Sequence, residues 1–130
     1  MVTDPIGDML ARIANASRVQ HTSVNIPLSR VKLSIAEALE RNGYVTSIVK
    51  KGKKIKKYFM LSLVYTDGEP KVHELKRVSK PSRRVYIGVQ DIMPIRQGRG
   101  AMVLSTPCGI LTGEEARKER VGGEVLFTIW

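Results

Sequence analysis

The sequence predicts an α+β fold of two small α/β domains: an N-terminal α-β-α-β-β unit over residues 1–66 and a β-rich C-terminal unit with one short helix over 67–130. Three observations carry this. Apolar residues recur at helical spacing behind two helix-start signals, Asp4-Pro5 and Ser29. Two runs rich in β-branched and aromatic residues flank a Lys-Gly-Lys-Lys turn. After Asp67-Gly68-Glu69-Pro70, short alternating runs replace helical periodicity.

The elements follow in order. Asp4 reads as an N-cap with Pro5 at the first helical position, where its missing amide hydrogen costs nothing. Ile6, Met9, Leu10 and Ile13 then form a core stripe, and Arg12, Asn15 and Ser17 or Arg18 form the polar face. Ser23–Ile26 reads as a strand ended by Pro27, and Ser29 caps a helix with Val31, Ile35 and Leu39 as its stripe and Gly43 at its end. Tyr44–Lys50 and Ile55–Tyr65 make a hairpin. Lys71–Val78 resumes as a strand, Val85, Ile87 and Val89 alternate, and Ala101–Leu104 reads as a buried strand. Thr112 and Glu115 have the spacing of a capping box, with Gly122 closing that helix. Val125, Phe127 and Ile129 alternate in the last strand.

Charge narrows the function. The chain of 130 residues carries 22 Lys and Arg against 12 Asp and Glu, a net charge of +10, on an apolar fraction of 42% that supports an ordinary core. Six of the basic residues crowd into Lys50–Lys57, and Lys76, Arg77, Lys80, Arg83 and Arg84 form a second group. A polyanion is the matching partner, because each neutralised phosphate releases counterions. The lysine run also reads as a solvated hairpin tip that protects a strand edge. The basic residues sit in strand-like and turn-like sequence, which argues against a basic amphipathic helix on a membrane surface. No apolar run approaches the roughly 20 residues of a membrane span, so a cytoplasmic protein is expected.

Catalytic and cofactor motifs fail one by one. Gly98-Arg99-Gly100 precedes Val103 where a dinucleotide fingerprint needs its third glycine, and a strand follows instead of a helix. No Walker loop or His-Glu-x-x-His occurs, and one cysteine with two histidines supports neither disulfides nor a zinc site. Cys108 between Pro107 and Gly109 has no imidazole placed beside it by sequence, so a cysteine hydrolase is a poor reading. No cofactor, metal or small-molecule substrate is expected. The segment Ser105-Thr106-Pro107-Cys108-Gly109-Ile110-Leu111-Thr112 reads as a hydroxyl-rich turn between a buried strand and a capped helix. Short donors in such a turn suit close approach to phosphates, ribose hydroxyls and base edges of folded RNA, or else merely terminate the strand.

Asp4-Pro5-Ile6-Gly7-Asp8-Met9-Leu10, Ile26-Pro27 with Ser29 and Lys32, Arg77-Val78-Ser79-Lys80-Pro81, Arg84-Val85-Tyr86, Ser105-Thr106 with Gly109, Thr112, Ala116-Arg117 and Gly122-Gly123-Glu124-Val125 stand together in one order. In that combination the chain resembles the family of the eighth protein of the small ribosomal subunit, bacterial or organellar type, along essentially its whole length. The resemblance implies a non-enzymatic structural constituent of the ribosome that binds a central-domain helix of small-subunit ribosomal RNA, helps assemble the platform and touches neighbouring small-subunit proteins. It implies RNA contacts by Ser105, Thr106 and Gly109, by Pro107 through its carbonyl and ring, by Tyr86, Arg84 and Glu124 on the same surface, and by Arg12, Asn15 and Lys32 in the first unit. The alternative within the same chemistry is a free RNA-binding translational regulator that uses this surface on an mRNA. Folding is expected to be indifferent to loss of either the Ser105 or the Thr106 hydroxyl.

Overall fold

The computed structural model describes residues 4–53, 55–95 and 99–130; Lys54 of the lysine run and Gly98 of the Gly98-Arg99-Gly100 motif lie outside them. The architecture is α+β, and the chain divides into two compact units, Pro5–His73 and Asp4 with Glu74–Trp130.

The first unit opens with α1 (Pro5–Arg18), which buries Met9, Leu10, Ile13, Ala16 and Ser17. Ser17 is thus on the core side and not on the polar face: it stands four residues after Ile13, one turn further along the same stripe. Strand β1 (Ser23–Pro27) leads to α2 (Arg30–Arg41), whose N-cap Ser29 accepts the Lys32 amide at 3.2 Å. Ile35 and Leu39 are buried, but Val31 is 49% exposed and Lys32, at 8%, takes the place expected for it in the stripe. The buried set is Lys32, Ile35, Ala36 and Leu39 with Ala38, a face turned by one residue from the expected one.

Strands β2 (Val45–Lys51) and β3 (Tyr58–Leu63) pair antiparallel, and β1 lies on the other edge of β3, giving the order β1-β3-β2. Phe59, Leu61 and Leu63 alternate inward, the two-residue period of a half-buried strand. The run expected to extend to Tyr65 stops at Leu63. Tyr65 belongs to a separate hairpin, β4 (Tyr65–Thr66) with β5 (Glu69–Pro70), turned by Asp67 and Gly68 at positive φ. Tyr44 is buried; desolvation raises its phenol above the ordinary value of 10.0, and the Lys71 ammonium lies 5.7 Å over its ring.

The second unit is a five-stranded sheet built on its last strand. β10 (Gly123–Ile129) pairs with β8 (Ala101–Thr106) along one edge, and β9 (Gly109–Thr112) continues beyond β8. The other edge of β10 is shared: β6 (Leu75–Arg77) pairs with Phe127–Ile129, and β7 (Tyr86–Ile87) pairs with Gly123–Glu124. A strand was expected over Lys71–Val78, but only Leu75–Arg77 finds a ladder partner. The expected alternation through Val125, Phe127 and Ile129 is broken by a bulge at Leu126, so that Val125, Leu126 and Phe127 are buried in succession. The bulge carbonyl is held by the Arg77 guanidinium at 2.5 Å and the Val78 amide at 3.2 Å, and Arg77 also forks onto the Asp4 carboxylate at 3.1 and 3.3 Å.

Helix α3 (Gly113–Glu119) covers one face of this sheet, where Ala116 packs with Leu104, Val125 and Ile92. Its capping box is complete, since Thr112 Oγ1 accepts the Glu115 amide and Glu115 reaches back to the Thr112 amide at 3.0 Å. The helix ends on Arg120, which adopts the left-handed conformation (φ 58°) before the expected Gly122 stop. Gly122 serves another purpose: a Cβ there would meet the Ile87 carbonyl at 2.3 Å.

Candidate nucleic-acid interface

The residues expected to form a site in the second unit are collected by strand register. Glu124 of β10 is paired with Tyr86 of β7 on one side and with Ser105 of β8 on the other, and Ser105 is paired with Ile110 of β9. Directly paired residues project to the same face, so Tyr86, Glu124, Ser105 and Ile110 form a row across four strands. Leu104, Val125 and Ile87, their immediate chain neighbours, pack toward α3, which sets the row on the opposite face. Beyond the row, the bulge at Leu126 puts Phe127 on the same face as Glu124 although they are three residues apart.

The row requires a close approach of backbones. A Cβ on Gly123 would lie 2.1 Å from the Ser105 carbonyl, so only glycine lets β10 sit this tightly against β8 at the level of the row.

Each member has a distinct chemistry. Tyr86 is 72% exposed and offers an aromatic face for a base to stack on. Ser105 presents a hydroxyl with no hydrogen bond to the described residues. Glu124 accepts from Arg84 Nη1 at 3.1 Å and from the Ser79 hydroxyl, both on Oε2. This carboxylate is an acceptor only, suited to an amino group or a ribose hydroxyl and repelled by phosphate.

Beside the row, the segment expected as one turn is instead a hairpin: Ser105 and Thr106 end β8, Pro107 and Cys108 form the tip, and Gly109–Thr112 is β9. Pro107 suits the second position of the turn, and Gly109 follows at φ +112°, a conformation that disfavours a side chain. Thr106 is occupied within the hairpin, where its hydroxyl donates to the Gly109 carbonyl at 2.7 Å and accepts the Cys108 amide at 3.1 Å. The expectation that folding is indifferent to this hydroxyl is therefore corrected for Thr106. Pro107, Cys108 and Gly109 are exposed at the tip.

A second turn flanks the row. Lys80 and Arg83 exchange backbone hydrogen bonds at 2.8 and 3.0 Å, and Lys80, Arg83 and Arg84 are exposed cations two to six residues before Tyr86 in the chain. Ser79, fully buried beneath this turn, was not singled out as a site residue by its sequence; its partners lie 6 and 45 residues away, beyond any local pattern.

The expected contributors of the first unit are less uniform. Asn15 is exposed on α1, Arg12 is exposed but bonded to Asp8 at 2.9 Å one turn earlier, and Lys32 is buried. An exposed ion pair of this kind is worth only about 0–1 kcal/mol, so Arg12 is readily released to another anion. Among the described residues no group of His, Cys, Asp and Glu is placed to hold a metal ion, and no helix is long and apolar enough to cross a membrane.

Known proteins resemble this chain along its whole length. The family model of ribosomal protein S8 matches residues 4–130. The small ribosomal subunit protein uS8 of Nitratidesulfovibrio vulgaris (strain Miyazaki F) is 47% identical over 130 residues, covering all of both chains. The proteins of the same name from Mycoplasmopsis pulmonis and Roseiflexus castenholzii are each 45% identical, covering 100% and 99% of this chain and 98% of their own length. With a match of this extent and identity, the chain belongs to the ribosomal protein S8 family, whose members are structural, non-enzymatic components of the ribosome.

Proposed function

We propose that this chain binds small-subunit ribosomal RNA, at a helix of the central domain, and by doing so helps assemble the platform of the subunit beside its protein neighbours. The observation that carries the reading is the row Tyr86–Glu124–Ser105, where one aromatic ring, one acceptor and one hydroxyl stand side by side on an otherwise cationic protein of net charge +10. Such a set reads an irregular RNA: Tyr86 stacks on an unstacked base, while Ser105 and Glu124 take ribose and base-edge groups. The hairpin tip approaches the backbone with small, exposed residues, Pro107, Cys108 and Gly109. Arg84 with Lys80 and Arg83, and Arg12 and Asn15 in the first unit, supply contacts to phosphates that add affinity without reading sequence. Lys32 contributes through its place at the start of α2.

Titration of the protein with a transcript of the bacterial small-subunit central domain, against an unrelated RNA helix of equal length, tests this. A preference for the central-domain transcript that persists as salt weakens both complexes supports the reading; equal affinity for the two RNAs overturns it.

A further inference from the structure

Ser79 has 0% of its surface exposed, yet its one hydroxyl joins three pieces of chain. It accepts the Val85 amide at 3.1 Å and donates to Glu124 Oε2. Its own amide donates to the Val125 carbonyl at 3.1 Å, and the Val125 amide in turn donates to the Val85 carbonyl at 2.9 Å. Val85 immediately precedes Tyr86, and Glu124 is the ladder partner of both Tyr86 and Ser105. The Ser79 hydroxyl therefore locks the strand that carries the aromatic ring to the carboxylate at the centre of the row. A hydroxyl is required because only a group that both donates and accepts meets an amide hydrogen and a carboxylate oxygen at once.

Both bonds to Glu124, from Ser79 and from Arg84, fall on Oε2. They occupy Oε2, while Oε1 has no hydrogen bond to the described residues and is the oxygen left for a ligand. We propose that Ser79 is a positioning residue for RNA recognition: it sets the Glu124 carboxylate in the geometry that a base amino group or ribose hydroxyl meets, without itself touching RNA. This rests on the RNA-binding reading of the row. Because an acceptor-only carboxylate contributes discrimination and no attraction to phosphate, loss of its positioning changes which RNA is preferred and not the charge-driven part of binding.

Four proteins decide it: wild type, Ser79→Ala, Glu124→Ala and the double variant, each titrated with the central-domain transcript and with the unrelated helix across a salt series, beside thermal unfolding. The expected result is that Ser79→Ala loses about tenfold in preference for the transcript, keeps the wild-type salt slope and its affinity for the unrelated helix, and adds nothing to Glu124→Ala in the double variant. If the single losses multiply in the double variant, or if Ser79→Ala retains full preference, Ser79 does not act through Glu124 and the inference is overturned while the RNA-binding reading stands. If wild type shows no preference, both fall. Should Ser79→Ala fail to fold, Ser79→Cys, which keeps the volume with a weaker donor, replaces it, and the same two comparisons with Glu124→Ala decide.

Discussion

Glu124 and Ser105 stand directly opposite one another across β10 and β8, and the residue before Glu124 is a glycine whose missing Cβ makes that approach possible. Ladder register, more than chain proximity, thus creates the surface: the two residues are nineteen positions apart and belong to strands separated by a hairpin and a helix.

Ser105→Ala removes a hydroxyl that has no partner among the described residues, so the fold keeps its melting temperature and RNA affinity falls by roughly 1–3 kcal/mol. Thr106→Val behaves differently, because two turn hydrogen bonds go with the hydroxyl: about 0.5–1.5 kcal/mol of stability is lost for each. Filter binding beside thermal unfolding separates them. Unchanged RNA affinity for Ser105→Ala would remove that hydroxyl from the interface.

Thr112→Ala opens the capping box of α3 and costs about 0.5–2 kcal/mol of stability, with RNA affinity per folded molecule unchanged. Denaturant titration reads the stability, and a specific binding defect at full folding would show that Thr112 does more than cap.

Gly123→Ala drives a methyl group to 2.1 Å from the Ser105 carbonyl, and β10 must move away from β8 at the row. Overpacking of this kind costs about 1–3 kcal/mol. The displaced row also binds the central-domain transcript more weakly than the stability loss alone explains. Circular dichroism melting and RNA titration test both parts; a variant with wild-type melting contradicts the tight ladder.

Replacing the six lysines between 50 and 57 with serine flattens the log-log plot of affinity against salt and leaves discrimination between RNAs intact. The described part of this run is exposed, and point charges without fixed partners add attraction without reading a sequence. A large loss of discrimination would assign the run a place in recognition.

What the amino-acid sequence made legible was local. Thr112 and Glu115 are three residues apart, so a capping box is visible as a word in the chain; Ser29 before α2 is equally plain. The Ser105–Thr112 segment misled because Pro107 punctuates it and Gly109–Thr112 is too short to announce a strand. Val31 and Lys32 exchanged roles because either residue continues a helical stripe to Ile35 and Leu39, and the long lysine stem packs like an apolar chain. The bulge at Leu126 left no signal, since Val125 to Ile129 alternate well on paper. Ser79 was invisible as a site residue for the reason that distance in sequence hides any contact: its carboxylate partner is 45 residues away.

The position of β10 governs when the second unit can exist during synthesis. The strand last in chain order is the one that β6, β7 and β8 all pair with, so until residues 123–129 are made Tyr86 and Ser105 lack their common neighbour Glu124. Pairing across 50 to 54 residues, between β6 and β10, then occurs late, a non-local closure that is slow relative to helix formation. Partly made chains consequently lack the assembled row, which exists only in molecules whose synthesis has passed Glu124.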